Sequence, residues 1–313
     1  MSILLATHFG RAELAQWQAL LQAALPDEVF LTQRGAAHDN DDDIDIALVA
    51  NPPAGALHGL PKLKLIQSLW AGVETLLADP TLPVDVPLAR MVDPAMNAAM
   101  AETALWAVLS LQRGFFDCAA QQIARRWQPV PPVRADEIGV AVLGLGQMGR
   151  AVALRLLQNG YRVLGWSTRE AVVSGVKCLH GEAELPAVLA QAQVLINLLP
   201  LTAKTCGLLN ARVFAQMPTG ASVVNLARGA HVVDADLLAA LDGGRLKRAV
   251  LDVFHTEPLP ATHSFWSHRK VTVLPHVAAP TDPRSAALVV ARNVRALREG
   301  QPLLHRVDRT RGY

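Results

Sequence analysis

Short apolar runs alternate with amphipathic stretches along most of the chain. The first runs are SILLAT, VFLT, DIDIALVA and LKLIQSLWAG, and the stretch ELAQWQALLQAAL has the spacing of a helix that buries one face. Apolar runs of about four to eight residues separated by helical segments are typical of a parallel sheet covered by helices on both faces. Residues 1–97 are therefore predicted to form one small α/β unit.

A second series of apolar runs predicts another parallel sheet further along the chain. These runs are IGVAVLGLG, YRVLGWS, VLINLLPL, ASVVNLARG, RAVLDVF and VTVLPHVA. Before them, AMNAAMAETALWAVLSLQRGFFDCAAQQIARRW has helical spacing throughout and is predicted to be one long helix that ends before Pro129. After them, RSAALVVARNVRALREGQPL is predicted to be a helix that returns to pack on the first unit.

The composition indicates which kinds of partner the protein lacks and in which cellular compartment it is expected. The 313 residues, 51% of them hydrophobic, are enough for two buried cores. A net charge of +2 is too small to indicate a nucleic-acid or membrane-surface partner, and no apolar run reaches the roughly 18 residues of a membrane-spanning helix. Cys118, Cys178 and Cys206 lie far apart, without the spacing of a disulfide framework or a metal site. We therefore expect a cytoplasmic protein without a metal ion.

Three glycines follow the strand-like run VAVL and precede the helix-like stretch RAVALRLLQNG. Gly144, Gly146 and Gly149 form the pattern G-x-G-x-x-G. In this context the first glycine allows a tight turn, the second lets a pyrophosphate approach the backbone, and the third lets the helix pack closely on the strand. Because a helix N-terminus also offers N–H groups and a positive dipole to an anion, the pattern predicts a bound dinucleotide.

The end of the next predicted strand indicates which dinucleotide is bound. NAD-binding proteins place a carboxylate about 20 residues after the glycines, where it accepts hydrogen bonds from the adenosine ribose. This chain has Ser167, Thr168 and Arg169 there instead. Hydroxyl groups and a guanidinium can bind the additional 2′-phosphate of NADP. We therefore predict a preference for NADP(H), although an ordinary polar loop that accepts NAD(H) would have a similar composition.

Three more predicted strands end close to residues that can act in catalysis. Arg228 follows NLA, Asp252 and Glu257 lie in LDVFHTEPLP, and His276 lies in LPHVAA. An open α/β sheet binds its ligands at the carboxyl ends of its strands. One guanidinium, one carboxylate and one imidazole suffice to reduce a 2-oxo acid, because Arg binds the substrate carboxylate, His donates a proton, and Glu holds the imidazole. Each residue alone would also fit a structural role.

The order of these motifs resembles that of the NAD(P)-dependent D-2-hydroxyacid dehydrogenases. The matching segments are the glycine pattern, LPLTAKTCGLLN, VVNLARGAHVVDADLLAAL, LDVFHTEPLP and LPHVAA. Within that family the chain is most similar to the glyoxylate/hydroxypyruvate reductase A group, through SLWAGVETLL, PLPATHSFWSHRKVTVLPHVAA and the tail VDRTRGY. The resemblance covers nearly the whole chain. It implies two doubly wound parallel-sheet α/β domains: a Rossmann dinucleotide-binding domain, residues 98–284, inserted into a smaller flavodoxin-like substrate domain formed by residues 1–97 and 285–313.

The resemblance also assigns individual residues. Arg228, Glu257 and His276 match the family's catalytic set. The segment that binds the substrate with Arg228 and His276 matches Trp70, Ala71, Gly72 and Val73. The implied cofactor contacts are Gly144, Gly146, Gln147, Met148, Gly149, Ser167, Thr168, Arg169, Leu199, Pro200, Thr205, Leu226, Ala227, Asp252 and Ala278. The segment from about Glu102 to Pro129 matches the contact between the subunits of a homodimer.

These features together predict an NADPH-dependent reductase that converts glyoxylate to glycolate and hydroxypyruvate to glycerate, with His276 as the general acid. Three alternatives remain open. A reductase of bulkier 2-oxo acids such as phenylpyruvate would keep the same residues, although Trp70 and Trp266 favour a small substrate if they line the pocket. A corepressor-like NAD(P)-sensing protein would bind the cofactor without turnover, and the intact Arg, Glu and His set argues against it. Formate oxidation is disfavoured, because that branch of the family has Gln at the position of Glu257.

Overall fold

The polypeptide forms two compact units. The computed structural model describes residues 1–35 and 41–313. The first unit consists of Met1–Ala95 and Thr281–Tyr313, and the second unit consists of Met96–Pro280. The sequence placed the corresponding boundaries after residues 97 and 284, and the observed boundaries lie a few residues earlier at both points.

The first unit is built on a parallel sheet. Its elements before the second unit are β1 (Ser2–Thr7), α1 (Arg11–Ala24), β2 (Phe30–Leu31), β3 (Ile44–Ala50), β4 (Leu65–Ser68), α2 (Glu74–Leu77) and β5 (Leu88–Ala89). The five strands have the order β2-β1-β3-β4-β5, which is the order of flavodoxin-like folds. All residues of β3 are buried, as expected for the central strand of a sheet that is covered on both faces.

The second unit is built on a larger parallel sheet. Its elements are α3 (Pro94–Arg113), α4 (Phe115–Ile123), β6 (Gly139–Leu143), α5 (Gln147–Gln158), β7 (Arg162–Ser167), β8 (Lys177–His180), α6 (Leu185–Leu189), β9 (Val194–Asn197), α7 (Ala211–Gln216), β10 (Ala221–Asn225), α8 (Asp234–Asp242), β11 (Leu246–Leu251) and β12 (Val271–Val273). The seven strands have the order β12-β11-β10-β9-β6-β7-β8. The direction of the strand order reverses between β6 and β9, and ligands bind at such a point in open α/β sheets. The prediction of two parallel-sheet α/β domains is confirmed.

The side chains of β6 alternate between two hydrophobic cores. Val140 and Val142 pack in one core, together with residues of α3 and α5. Ala141 and Leu143 pack in the other core, together with residues of α6, α7 and α8. Because both faces of the strand are buried, its sequence is an apolar run rather than an alternation of apolar and polar residues. This burial explains why the run VAVL could be assigned to a strand from the sequence.

The long helix predicted before the second sheet is in fact two helices. α3 ends at Arg113 and α4 begins at Phe115. Gly114 between them has a φ of +67°, in the left-handed region, and a Cβ atom at this position would lie 2.9 Å from Cγ1 of Val130. The break therefore depends on a glycine conformation and on a close contact with a later segment, and helical spacing alone reveals neither.

The last helix, α9 (Pro283–Arg298), belongs to the first unit and supplies the partner of a buried charge. Asp45 lies inside β3 and is completely buried. Arg298 donates hydrogen bonds from Nη2 to Asp45 at 3.1 Å and from Nε to Glu28 at 2.7 Å. Because a buried charge without a partner is strongly destabilising, the central strand depends on a residue close to the other end of the chain.

Candidate active site

The glycine loop connects the end of β6 to the start of α5. Gly144 has a φ of +95°, and a Cβ atom there would lie 2.5 Å from the carbonyl oxygen of Leu198. A Cβ atom on Gly149 would lie 1.7 Å from the carbonyl oxygen of Gly144. Gly146 precedes the first residue of α5, and a Cβ atom there would meet nothing within 4 Å. Gly144 is thus required by close contact with the loop after β9, and Gly149 by close contact within the glycine loop itself. The space beside Gly146, at the N-terminus of a twelve-residue helix, is open, as the close approach of a pyrophosphate would require.

A pair of alanine variants separates these two roles. Gly149→Ala is expected to lower the midpoint of thermal unfolding, because the carbonyl group of Gly144 would have to move. Gly146→Ala is the matched control for folding, and its midpoint of thermal unfolding should equal that of the unmodified protein. It should bind NADPH at least about tenfold more weakly, because its methyl group would hold the pyrophosphate away from the helix N-terminus. Circular dichroism measures the midpoint and NADPH fluorescence the affinity. Unchanged affinity in Gly146→Ala would contradict this placement of the pyrophosphate.

Ser167, Thr168 and Arg169 form the turn at the end of β7. Ser167 is half-buried, whereas Thr168 and Arg169 are exposed. The Ser167 hydroxyl donates a hydrogen bond to the carbonyl oxygen of Arg169 at 2.6 Å, so it orders the turn. In the sheet, Ser167 lies beside His180, the last residue of β8. The turn therefore presents a hydroxyl group and a guanidinium to solvent at the carboxyl edge of the sheet. Their contact with a 2′-phosphate remains a prediction.

The strands that precede the candidate catalytic residues end at the same level. Asn225, the last residue of β10, pairs with Leu251, the last residue of β11. Leu251 in turn pairs with Val273, the last residue of β12. Because the strands are parallel and neighbouring, the loops that follow them leave the sheet from one edge. These loops carry Arg228, Asp252, Glu257 and His276.

A short hydrogen bond joins the candidate acid to a carboxylate. Nδ1 of His276 lies 2.6 Å from Oε2 of Glu257. The other carboxylate oxygen, Oε1, accepts a hydrogen bond from the backbone N–H of Phe254 at 2.9 Å. A carboxylate that binds Nδ1 fixes the proton on that nitrogen and orients the ring, which leaves Nε2 for the substrate. The structure thus brings together two residues that are 19 positions apart in the sequence.

Asp252 holds the turn that carries His276. Its side chain is buried and accepts hydrogen bonds from the backbone N–H of Val277 at 2.7 Å and of Ala278 at 3.2 Å. The N–H of His276 donates to the carbonyl oxygen of Asp252 at 3.0 Å. Burial raises the pKa of Asp252, and the hydrogen bonds from Val277 and Ala278 oppose that shift. His276 itself has a φ of +55°, an uncommon conformation for a residue with a side chain, and these hydrogen bonds stabilise it.

Arg228 lies in a loop that rests on the loop of Glu257. A Cβ atom on the next residue, Gly229, would lie 1.9 Å from the carbonyl carbon of Phe254, so the two backbones are in direct contact. Phe254 is the residue whose N–H binds Glu257. Arg228 is half-buried, and its Nη1 donates to the carbonyl oxygen of Ala227 at 2.6 Å. Contacts between neighbouring loops therefore connect Arg228, Glu257 and His276.

The remaining predicted cofactor residues lie at the same edge of the second sheet. Thr205 is buried and its hydroxyl donates to the carbonyl oxygen of Pro200 at 2.7 Å, which folds the loop after β9. In the loops after β9, β10 and β12, the residues Leu199, Leu226, Ala227 and Ala278 are buried. At the start of α5, Gln147 is exposed and Met148 is half-buried.

The predicted substrate-binding segment belongs to the first unit and follows β4. The Ser68 hydroxyl accepts a hydrogen bond from the N–H of Trp70 at 3.0 Å, and Met91 N–H donates to the carbonyl oxygen of Trp70 at 3.0 Å. The Trp70 ring packs edge-on against Phe9, with a centroid distance of 5.7 Å. Val73 is buried, whereas Trp70, Ala71 and Gly72 are half-buried. Their role in substrate binding remains a prediction.

The sequence did not reveal three buried polar residues at the ends of β9 and β10 and in the loop after β10. Asn197, Asn225 and His231 are completely buried. Asn197 Nδ2 donates to Asn225 Oδ1 at 3.0 Å, and Asn225 Nδ2 donates to the carbonyl oxygen of Arg228 at 2.9 Å. The sequence does contain features that could have identified them. The apolar runs VLIN and SVVN each end in a polar residue, and a histidine stands in RGAHVV. Buried polar groups of this kind are hydrogen-bonded and often specify a single arrangement of loops.

Residues 1–35 and 41–313 contain neither a candidate membrane span nor a candidate metal site. None of the helices in these ranges combines the length and the apolar character that crossing a bilayer requires. The same ranges contain no group of three or more His, Cys, Asp or Glu side chains that could hold a metal ion. Cys118 and Cys206 are exposed, Cys178 is half-buried, and all three are free thiols.

Comparison with known proteins identifies the family. Residues 105–278 match the model of the D-isomer specific 2-hydroxyacid dehydrogenase NAD binding domain. A curated relative, glyoxylate/hydroxypyruvate reductase A of Klebsiella pneumoniae strain 342, is 44% identical over 274 residues, which are 86% of this chain and 88% of the relative.

Two crystal structures are similar to the whole chain. A D-isomer specific 2-hydroxyacid dehydrogenase from Xanthobacter autotrophicus Py2, in complex with NADPH and MES, has 40% identity and a TM-score of 0.94 over 100% of this chain and 99% of that chain. An NADPH-dependent glyoxylate/hydroxypyruvate reductase from Sinorhizobium meliloti, with NADP and sulfate, has 33% identity and a TM-score of 0.92 over 100% of both chains. The chain belongs to the D-isomer specific 2-hydroxyacid dehydrogenase family.

Proposed function

We propose that the protein reduces small 2-oxo acids with NADPH, converting glyoxylate to glycolate and hydroxypyruvate to glycerate. The observation that carries the proposal is the 2.6 Å contact between His276 and Glu257, at the sheet edge that also holds Arg228 and the glycine loop. The names of the Klebsiella and Sinorhizobium relatives support this choice of substrates.

The side chains supply proton transfer and substrate orientation. When bound, the nicotinamide provides the hydride that reduces the carbonyl carbon. His276, with Nδ1 bound to Glu257, donates the proton on Nε2 to the carbonyl oxygen, so that the alcohol forms without a free alkoxide. The imidazole then regains a proton from solvent before the next turnover. The residues between Gly144 and Gly149 would hold the cofactor's pyrophosphate.

Arg228 binds the substrate carboxylate in this proposal. A guanidinium can donate two parallel hydrogen bonds to a carboxylate, which fixes both its distance and its plane. Because the loop of Arg228 rests on Phe254, and Phe254 binds Glu257, the carboxylate and the reacting carbonyl are oriented by connected loops. Such orientation lowers the entropic part of the barrier.

Initial rates with NADPH and NADH against several 2-oxo acids test the proposal. Glyoxylate and hydroxypyruvate should be reduced with higher kcat/KM than phenylpyruvate. Faster reduction of phenylpyruvate would instead favour a reductase of bulkier substrates. Binding of NADPH without reduction of any 2-oxo acid would support the corepressor-like alternative and overturn the proposal.

The preference for NADPH rests on the turn after β7. Ser167 and Arg169 stand where NAD-binding members of the fold have a carboxylate, and they can bind the 2′-phosphate. The relatives from Xanthobacter and Sinorhizobium contain NADPH and NADP, which agrees with this preference. A cytoplasmic location is part of the same proposal, because three free thiols suit a reducing compartment.

Exchanging residues of this turn should reverse the preference. For the unmodified protein, kcat/KM with NADPH should exceed that with NADH at least about tenfold, because one charge-assisted hydrogen bond contributes about 1.5–3 kcal/mol. In the double variant Ser167→Asp, Arg169→Ala, the new carboxylate should repel the 2′-phosphate and accept the ribose hydroxyls of NADH, so that NADH becomes the better cofactor. Arg162→Ala, an exposed position at the other end of β7, is the control. Equal efficiencies in the unmodified protein would exclude the assignment.

We also propose a homodimer that forms through α3, α4 and the segment after α4. Apolar side chains are exposed there, and the exposed fraction is 42% for Trp106, 53% for Phe115, 86% for Ile123 and 97% for Trp127. Neighbouring large apolar side chains that are exposed to solvent are typical of protein–protein interfaces.

A charge introduced into this surface should separate the subunits. Ile123→Lys is expected to sediment as a monomer under conditions in which the unmodified protein sediments as a dimer, because association would bury the new charge. Val172→Lys is the matched control, since Val172 is also exposed, at 74%, but lies after β7. Analytical ultracentrifugation measures both. Sedimentation of the unmodified protein as a monomer would contradict the proposed interface.

A further inference from the structure

His231 is a buried imidazole that contacts two loops of the candidate site. It ends the short 3₁₀ helix Gly229–His231, directly after Arg228, and its exposed fraction is 0%. Its Nδ1 lies 3.1 Å from the carbonyl oxygen of Arg228, and its Nε2 lies 3.3 Å from the carbonyl oxygen of Pro200. One ring therefore spans from the loop after β10 to the loop after β9.

The contact of His231 Nε2 with the carbonyl oxygen of Pro200 closes a cycle of buried contacts between the two loops. In the rest of this cycle, Asn225 donates a hydrogen bond to the carbonyl oxygen of Arg228 at 2.9 Å and accepts one from Asn197 at 3.0 Å. Asn197 in turn accepts from the N–H of Leu199 at 3.3 Å, and Leu199 precedes Pro200. The backbone of Arg228 is thus held by Asn225 at the end of β10, and His231 connects the same loop to the neighbouring loop at Pro200.

Loss of the His231 side chain would leave both carbonyl groups with other donors. The carbonyl oxygen of Arg228 would keep the hydrogen bonds from Asn225 and from the backbone N–H of residue 231, and that of Pro200 would keep the one from the Thr205 hydroxyl. The desolvation penalty of a buried carbonyl without a donor would therefore be avoided. What would disappear is the direct connection between the two loops. The expected consequence is a change in the position of Arg228 more than a change in global stability.

We propose that His231 is a positioning residue, which connects the Arg228 loop to the Pro200 loop and thereby orients the guanidinium toward the substrate carboxylate. The inference rests on the proposed role of Arg228. It assigns to His231 no contact with the reacting atoms. Substitution of His231 should act on substrate binding through Arg228, whereas a purely structural residue would change stability and all ligand affinities together.

The test compares His231→Phe and His231→Gln with a matched control. Phe keeps the ring shape without a hydrogen-bond donor, and Gln has an amide group with two donor hydrogens. His268→Phe is the control, because His268 contacts Asp242 at 3.1 Å and lies before β12, at the opposite edge of the sheet. His231→Phe should raise KM for glyoxylate at least about tenfold, the loss expected for one charge-assisted hydrogen bond. Its NADPH affinity and unfolding midpoint should stay close to those of the control, and His231→Gln should recover part of the loss.

A double-mutant cycle with Arg228→Lys decides whether the two residues act together. If His231 acts through Arg228, adding His231→Phe to Arg228→Lys should cost much less than it does in the unmodified protein. Equal costs in both backgrounds, or an unchanged KM in His231→Phe, would overturn the inference alone. Normal kinetics of Arg228→Lys would overturn the proposed role of Arg228 as well. If His231→Phe does not fold, His231→Leu replaces it, and failure of both to fold would assign His231 to stability and overturn the inference.

Discussion

Replacing His276 with alanine is expected to lower kcat for glyoxylate reduction about 10²–10⁴-fold, the usual contribution of a general acid. The imidazole is bound through Nδ1 to Glu257, and in the proposed mechanism its Nε2 delivers the proton to the carbonyl oxygen. NADPH affinity should change little, because the dinucleotide phosphates are assigned to the glycine loop after β6. That loop and the loop of His276 after β12 lie on opposite sides of the point where the strand order reverses. Stopped-flow and steady-state rates with glyoxylate measure the loss, and NADPH fluorescence measures the affinity.

A matched control makes the His276 result specific. His268→Ala removes an imidazole from the opposite edge of the same sheet and should keep wild-type kcat. A His276→Ala variant that kept more than about a tenth of wild-type kcat would remove His276 from the mechanism.

Replacing Arg228 with lysine is expected to raise KM for glyoxylate and to lower kcat, although the positive charge is kept. An ammonium group cannot reproduce the two parallel hydrogen bonds of a guanidinium, so the carboxylate would be held less tightly and in a less defined plane. Loss of one charge-assisted hydrogen bond corresponds to about 10- to 100-fold in kcat/KM. Steady-state kinetics at saturating NADPH measure both constants.

The matched control for this substitution is Arg212→Lys. Arg212 is exposed on α7 in the same unit, and its exchange should leave both constants unchanged. If Arg228→Lys also has wild-type KM and kcat for glyoxylate, the carboxylate must be bound by other groups.

Much of the fold could be predicted because burial leaves a direct trace in the sequence. Strands such as β1, β3 and β6 are buried on both faces and therefore appear as apolar runs. β8 gave no such run, because it lies at the edge of its sheet and none of its residues is fully buried. β5 has only two residues, too few for a periodic pattern. Edge strands and very short strands thus lack the signal that identifies central ones.

The residues of the candidate site also differ in how far along the sequence their structural partners lie. Gly149 could be identified because the group that its Cβ atom would meet, the carbonyl of Gly144, lies in the same turn between a strand and a helix. Gly144 has a local reason in its positive φ, whereas the carbonyl oxygen of Leu198 that its Cβ atom would meet belongs to the distant loop after β9. Arg228, Glu257 and His276 could be placed together because parallel strands end at one edge. The role of His231 could not be read from the sequence, because one of its partners, Pro200, lies 31 residues away and contributes only a carbonyl oxygen. Main-chain acceptors are present at every position and so leave no mark on residue identity.

The salt bridge between Asp45 and Arg298 has a consequence for the order in which the two units can fold during translation. The second unit is one continuous segment, Met96–Pro280, and is fully synthesised before α9 emerges. The central strand of the first unit is made early, yet Asp45 gains the contact with Arg298 only after α9 has left the exit tunnel. The second unit can therefore begin to fold during translation before the first unit has the residue that completes its salt bridge.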